Sequence, residues 1–167
     1  NSVDGSEIFS QAMTYLSLCY ADGGEALSQG AMVDSLSVYV EQAAYASFEQ
    51  AAYGLTGSDL SVENLRKLFA DTCEAFHIEG MNEQYYALIT HFYTNPMYIL
   101  SYVLSNDAAM QIYQLELEHS GDGLEIYEEN LTNAEPSFLA FLDSAGLEAP
   151  FGRIASVART FRSLLGA

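Results

Sequence analysis

The stretch DSLSVYVEQAAYASFEQAAYG, residues 34–54, decides the fold class. Its apolar positions Leu36, Val40, Ala44, Tyr45 and Phe48 recur at the i, i+4 spacing of one helix face. Gly54 and Gly57 supply the stop. The pattern predicts a long helix over roughly residues 25–54. Working outward, the same helical period recurs in almost every long segment. Sustained alternation bounded by turn signals, the mark of a strand, is found nowhere.

On the N-terminal side, Ser6 is placed to cap a helix from Glu7 to about Tyr20, closed by ADGG. On the C-terminal side, Ser61 is placed to cap VENLRKLFADTCEAF, with Leu65, Leu68, Phe69 and Phe76 on one stripe. A loop, HIEGMNE, leads into a short helix over QYYALITHFY. Pro96 lacks an N–H and has a fixed φ, which places it at the first turn of a helix reaching about His119. Gly121 and Gly123 are read as breaks, after which GLEIYEENLTNA resumes. EPSFLAFLDSAG is a compact helix with Pro136 near its start and Gly146 at its end. The closing segment is helical too, and three of the four arginines fall in the last fifteen residues. The expected architecture is all-α: a single domain over residues 1–167, of about seven or eight helices.

Composition narrows the function. Half of the residues are apolar and 13% aromatic, so the chain can fill a core. Five basic against 23 acidic residues give a formal charge of −18, which repels phosphate backbones and anionic lipid. Nucleic-acid and membrane partners are therefore not expected. MYILSYVL stops short of a membrane span. The first residues, NSVDGSEIFS, have neither the basic nor the apolar region of a signal peptide, and no initiator Met, as in a chain processed or cut from a longer one. Cys19 and Cys73 lie in apolar helical contexts and read as buried free thiols. Phosphate-binding glycine loops, nucleophile elbows and Cys-x-x-Cys pairs are absent from the sequence, and no His has another His at i+4.

The segment HFYTNPMYILSYVLS, residues 91–105, carries the candidate chemistry. Tyr98 and Tyr102 are four apart and share a helix face. His91 and Tyr93 precede the break at Pro96, where a chain reversal would aim them at the same space. A His and tyrosine hydroxyls at a helix entrance can donate hydrogen bonds to a carbonyl becoming an oxyanion. They can equally be aromatic packing whose hydroxyls reach water.

LSVYVEQAAYASFEQAAYGLTGSDLSVENLRKLF followed by HFYTNPMYILSYVLS resembles the C-terminal half of the catalytic domain of the oligoendopeptidase F family, zinc metallopeptidases related to thimet oligopeptidase. The shared features are an aromatic-rich helix ending in Phe48-Glu49, a capped Leu-rich helix from Ser61, and His91-Phe92-Tyr93 followed by Pro96-Met97-Tyr98 and Tyr102. SGDGLEIYEENL and PSFLAFLDSAGLEAP resemble the elements that follow. The resemblance implies that His91 and Tyr98, assisted by Tyr93, bind the substrate carbonyl or its oxyanion. It further implies that Tyr102 lines the cleft and that Glu7, in an E-x-x-S setting with Ser10, is the third zinc ligand.

The family's H-E-x-x-H helix would lie upstream of Asn1. The chain alone is therefore expected to hold no zinc tightly and to hydrolyse nothing. Its expected partners are an oligopeptide substrate and the missing N-terminal part of the catalytic domain, or a second copy through an exposed apolar face. Leu100 stands where the family tends to have a further Tyr, and Met97 where it has Phe. These departures fit a non-catalytic relative that binds peptides or a protein. The resemblance implies a cytoplasmic protein, while a single lysine in 167 residues is compatible with export.

Overall fold

A computed structural model describes residues 3–22, 24–132, 135 and 137–166. Among them every regular element is helical and none is a strand, so the all-α expectation holds. The expected stop at Gly23 and the expected start at Pro136 lie outside the described residues. By contact the chain divides into two units, residues Ser37–Val103 and residues Asn1–Leu36 with Leu104–Ala167. No helix among the described residues is long and apolar enough to cross a membrane.

The predicted helix over 25–54 is one unbroken helical run of three parts: α2 (Gly24–Ser37), a π-helical segment (Val38–Gln42) and α3 (Ala43–Tyr53). None of the π-helical residues is buried. Met32 and Ser35 are the buried positions before them, and Ala44, Tyr45 and Phe48 after them. Leu36, expected on the same stripe, is exposed.

In the unit Ser37–Val103, Phe48 is the centre of the core. Its ring lies 5.1 Å from Phe69, 5.3 Å from Phe92 and 5.4 Å from Tyr86. Phe69 comes from α4 (Val62–Ala75), whose Leu65 and Leu68 pack on the same cluster. Ser61 caps α4 as expected, its hydroxyl accepting the Asn64 N–H at 3.2 Å. α4 ends with His77 in the left-handed region (φ 56°), while the Ile78 N–H reaches back to the Cys73 carbonyl at 2.8 Å. That closure suits glycine. His77→Gly is expected to raise stability by about 1 kcal/mol, read as a higher urea midpoint at unchanged slope. A lower midpoint would show that the imidazole does more than occupy the turn.

QYYALITHFY forms a 3₁₀ turn (Tyr85–Leu88) and a single-turn helix, α5 (His91–Thr94), rather than one helix. Pro96 does not open the next helix. The residue before a proline is pushed to extended backbone, and Asn95 sits at φ −142°. Met97 then takes φ 63°, and the Tyr98 N–H closes onto the Asn95 carbonyl at 3.1 Å. This is a reverse turn with positive φ at its third residue. Helix α6 begins only at Tyr98 and runs to Glu118.

The other unit is built from α1 (Val3–Tyr20), most of α2 and α6, α7 (Asp122–Asn130), α8 (Phe138–Ser144) and α9 (Ile154–Leu165). α1 starts before Ser6, which therefore lies inside the helix instead of capping it. α1 packs on α7 and α8, where Phe9 meets Tyr127 and Phe141 edge-on at 5.4 and 5.7 Å. Two buried polar groups at the core of this unit are paired. Asn106 accepts from Tyr15 and Ser35 and donates to the Ser35 carbonyl at 3.2 Å. Asp107, buried, meets the Arg153 guanidinium at 3.3 Å.

Gly121 precedes α7 in a left-handed conformation, as a break should. Gly123 does not break anything: it lies within α7, buried against α6. Both thiols are free, but Cys19 is exposed where burial was expected; Cys73 is buried. Desolvation raises the pKa of both, and Glu116 adds to it at Cys19, so neither is an activated thiolate.

Candidate functional site

α5 and the first turns of α6 flank the turn at Pro96 and bring three of the candidate rings together. His91 stacks on Tyr98 with ring centres 5.1 Å apart and planes 21° apart. Tyr102 meets both rings edge-on, at 5.8 Å from His91 and 5.2 Å from Tyr98. Tyr98 and Tyr102 meet because four residues is about one helical turn. All three residues are half-buried. The cluster can present an imidazole N–H or N and phenol groups along one surface, the donor set a polarised carbonyl accepts.

Tyr93 is not part of this cluster, which corrects the expectation that it shares the space of His91. Two residues along a helix turn the side chain by about 200°, so Tyr93 leaves the opposite side of α5. It lies on a cavity of about 170 Å³ lined also by Phe48, Glu49, Ala52, Tyr53, Leu60, Leu65, Tyr86 and Phe92. Desolvation, and then Tyr86 nearby, raise its pKa.

Beneath the turn lies a residue to which sequence reading gave no role. Glu49, on α3, is 1% exposed. Its Oε1 accepts the Met97 N–H at 2.7 Å and lies 2.9 Å from the Tyr53 hydroxyl. The same hydroxyl lies 2.9 Å from the Phe92 carbonyl. Glu49 Oε2 is buried and has no hydrogen-bond partner. Desolvation, followed by the Glu49 carboxyl, raises the pKa of Tyr53. A signal was present in the sequence: Glu49 is four residues from Tyr45 and next to Phe48, an acid on the apolar stripe itself.

Glu7 lies half-buried on α1, in the unit Asn1–Leu36 with Leu104–Ala167, whereas the ring cluster belongs to Ser37–Val103. No group of three or more His, Cys, Asp or Glu side chains able to hold a metal occurs among the described residues. A four-coordinate zinc site would need further ligands beside Glu7. His77 and His119 are exposed and stand outside the ring cluster.

No family model matches the chain, and neither a curated protein nor a solved structure matches it.

Proposed function

We propose that this chain is the C-terminal helical part of an oligoendopeptidase-F-like zinc metallopeptidase catalytic domain, and that it contributes the wall that binds the substrate carbonyl. The observation that carries the reading is the cluster of His91, Tyr98 and Tyr102 around one turn. In this reading His91 and Tyr98 donate to the carbonyl oxygen as it gains charge. Tyr102 holds both rings in register and borders the cleft. Tyr93, on the far side of α5, lies beside the neighbouring cavity and has no direct part. Glu7 is offered as a single metal ligand; the remaining ligands and the general base would come from an H-E-x-x-H segment outside this sequence.

Joined to such a segment, the chain should bind zinc one-to-one and cleave a quenched oligopeptide. His91→Ala and Tyr98→Phe should each lower kcat by about 10²-fold, the usual cost of one oxyanion donor, with the helical circular dichroism unchanged. Unchanged rates in both variants would remove these roles. Glu7→Gln should lower zinc content, and full zinc occupancy in that variant would remove its role.

Leu100 favours a second reading, a non-catalytic relative that binds peptides or a protein through the same wall. It is 39% exposed near the start of α6 and brings no hydroxyl there. Peptide binding without cleavage, in the presence of bound zinc, would select this reading over the first. The acidic surface suits neither nucleic acid nor anionic membrane in either case.

A further inference from the structure

We infer that Glu49 is the positioning residue of the His91–Tyr98 wall, an inference that takes the carbonyl-binding role of that wall from the reading above. The chain reverses between α5 and α6, and α3 grips it on both sides. Before the turn, the Phe92 carbonyl accepts from the Tyr53 hydroxyl; after it, the Met97 N–H donates to Glu49. Glu49 and Tyr53 are four residues apart on α3 and so reach the turn from one helix face. The two grips are joined, because the Tyr53 hydroxyl lies at equal distance from Phe92 O and Glu49 Oε1. One hydroxyl proton serves two acceptors, which leaves the 2.7 Å bond from Met97 as the firmest tie to the carboxyl.

Two features indicate that Glu49 does more than fill the core. Met97 holds a positive φ that non-glycine residues resist, so something must offset the strain, and its N–H is the group Glu49 takes. A carboxyl buried with one oxygen bare is also a costly filler where apolar side chains surround it. The adjoining cavity does not account for it either: Oε2 is buried and so not offered to a ligand there. His91 precedes Phe92 by one residue and Tyr98 follows Met97 by one. Fixing Phe92 and Met97 therefore fixes the two ends between which the rings stack.

The test uses the chain itself, ¹⁵N-labelled, with the Met97 amide and the His91 and Tyr98 ring protons followed by NMR. Glu49→Ala should speed Met97 amide exchange by about tenfold or more and move the ring-current shifts of His91 and Tyr98 toward unstacked values. Glu49→Gln, which keeps an acceptor for Met97, should restore both. Cys73→Ala, a cavity in the same core, should lower stability while leaving both signals in place. Exchange and ring shifts unaltered in Glu49→Ala, or altered equally in Cys73→Ala, would overturn the inference. If Glu49→Ala fails to fold, Tyr53→Phe decides: the His91 and Tyr98 shifts must move, and unmoved shifts overturn it. Titration of the wild-type chain with an unstructured oligopeptide separates the two claims. No peptide binding counts against the wall's function, while the Met97 and ring signals still judge Glu49.

Discussion

Gly123→Ala should destabilise the unit that contains α7 by about 4 kcal/mol, although alanine is the better helix former by about 1 kcal/mol. The sign is decided by space. A Cβ on Gly123 would stand 2.3 Å from the Ile112 carbonyl oxygen, 2.8 Å from Glu116 Cβ and 3.0 Å from the Glu116 backbone nitrogen. Two of these three atoms belong to the backbone of α6 and cannot rotate aside, so α7 has to move away as a body. Ordinary overpacking costs about 1–3 kcal/mol because side chains adjust; here the helix backbone would have to adjust.

The consequence reaches beyond α7. Tyr127 on α7 packs on Phe9 of α1, the helix that carries Glu7. Thermal unfolding followed at 222 nm should show a midpoint lower by roughly 8–16 °C, from about 2–4 °C per kcal/mol at this chain length. A raised midpoint would mean that α7 does not approach α6 this closely.

Local and periodic features of the fold were legible in the sequence, and features set by a distant partner were not. Ser61 caps α4 because a hydroxyl three residues ahead of a free N–H needs nothing else. Phe69 and Phe48 are buried because their spacing puts them on apolar stripes. A glycine's local meaning is flexibility, so Gly123 looks like a breaker in the sequence; its actual role depends on Ile112 and Glu116, which only the packing of α6 brings near. The same holds for the π-helical segment at Val38–Gln42, for which no residue type in VYVEQ is diagnostic.

At the candidate site, the pair Tyr98 and Tyr102 followed from spacing alone, and His91 joined them through the turn. Tyr93 misled because two residues along a helix face opposite ways once α5 forms. Proline proved a turn former at position 96 instead of a helix opener. The strain this puts on Met97 is matched by Glu49, 48 residues earlier in the chain, a pairing that no periodicity encodes.

Glu116 carries the second large effect, and pH exposes it. Its carboxylate accepts the Gly121 N–H at 2.8 Å and the Leu124 N–H at 3.0 Å, the free donors at the start of α7. The Tyr20 hydroxyl reaches Oε1 at 2.5 Å and Ser120 lies at 3.4 Å. Glu116 on α6 thus caps α7 in place of the residue before it, since Gly121 has no side chain to do so. Burial pushes the Glu116 carboxyl up, but the hydrogen bonds from Tyr20, Gly121, Leu124 and Ser120 outweigh burial and hold it below the ordinary value of 4.5.

A pKa lowered by folding means stabilisation present above the unfolded value and lost as the pH falls through the folded one. Glu116→Ala should cost about 3 kcal/mol at pH 7, since two backbone donors and a hydroxyl lose a charged acceptor together. Glu116→Gln, which keeps the shape and one acceptor oxygen, should cost about half of that. Acid also relieves the repulsion of the −18 chain, so stability must be compared as wild type minus Glu116→Gln at each pH. Urea unfolding should give a constant difference from pH 8 to about 5, shrinking below 4.5 as the wild-type carboxyl takes its proton. A difference that stays flat through that range would mean that the charge on Glu116 contributes nothing to seating α7.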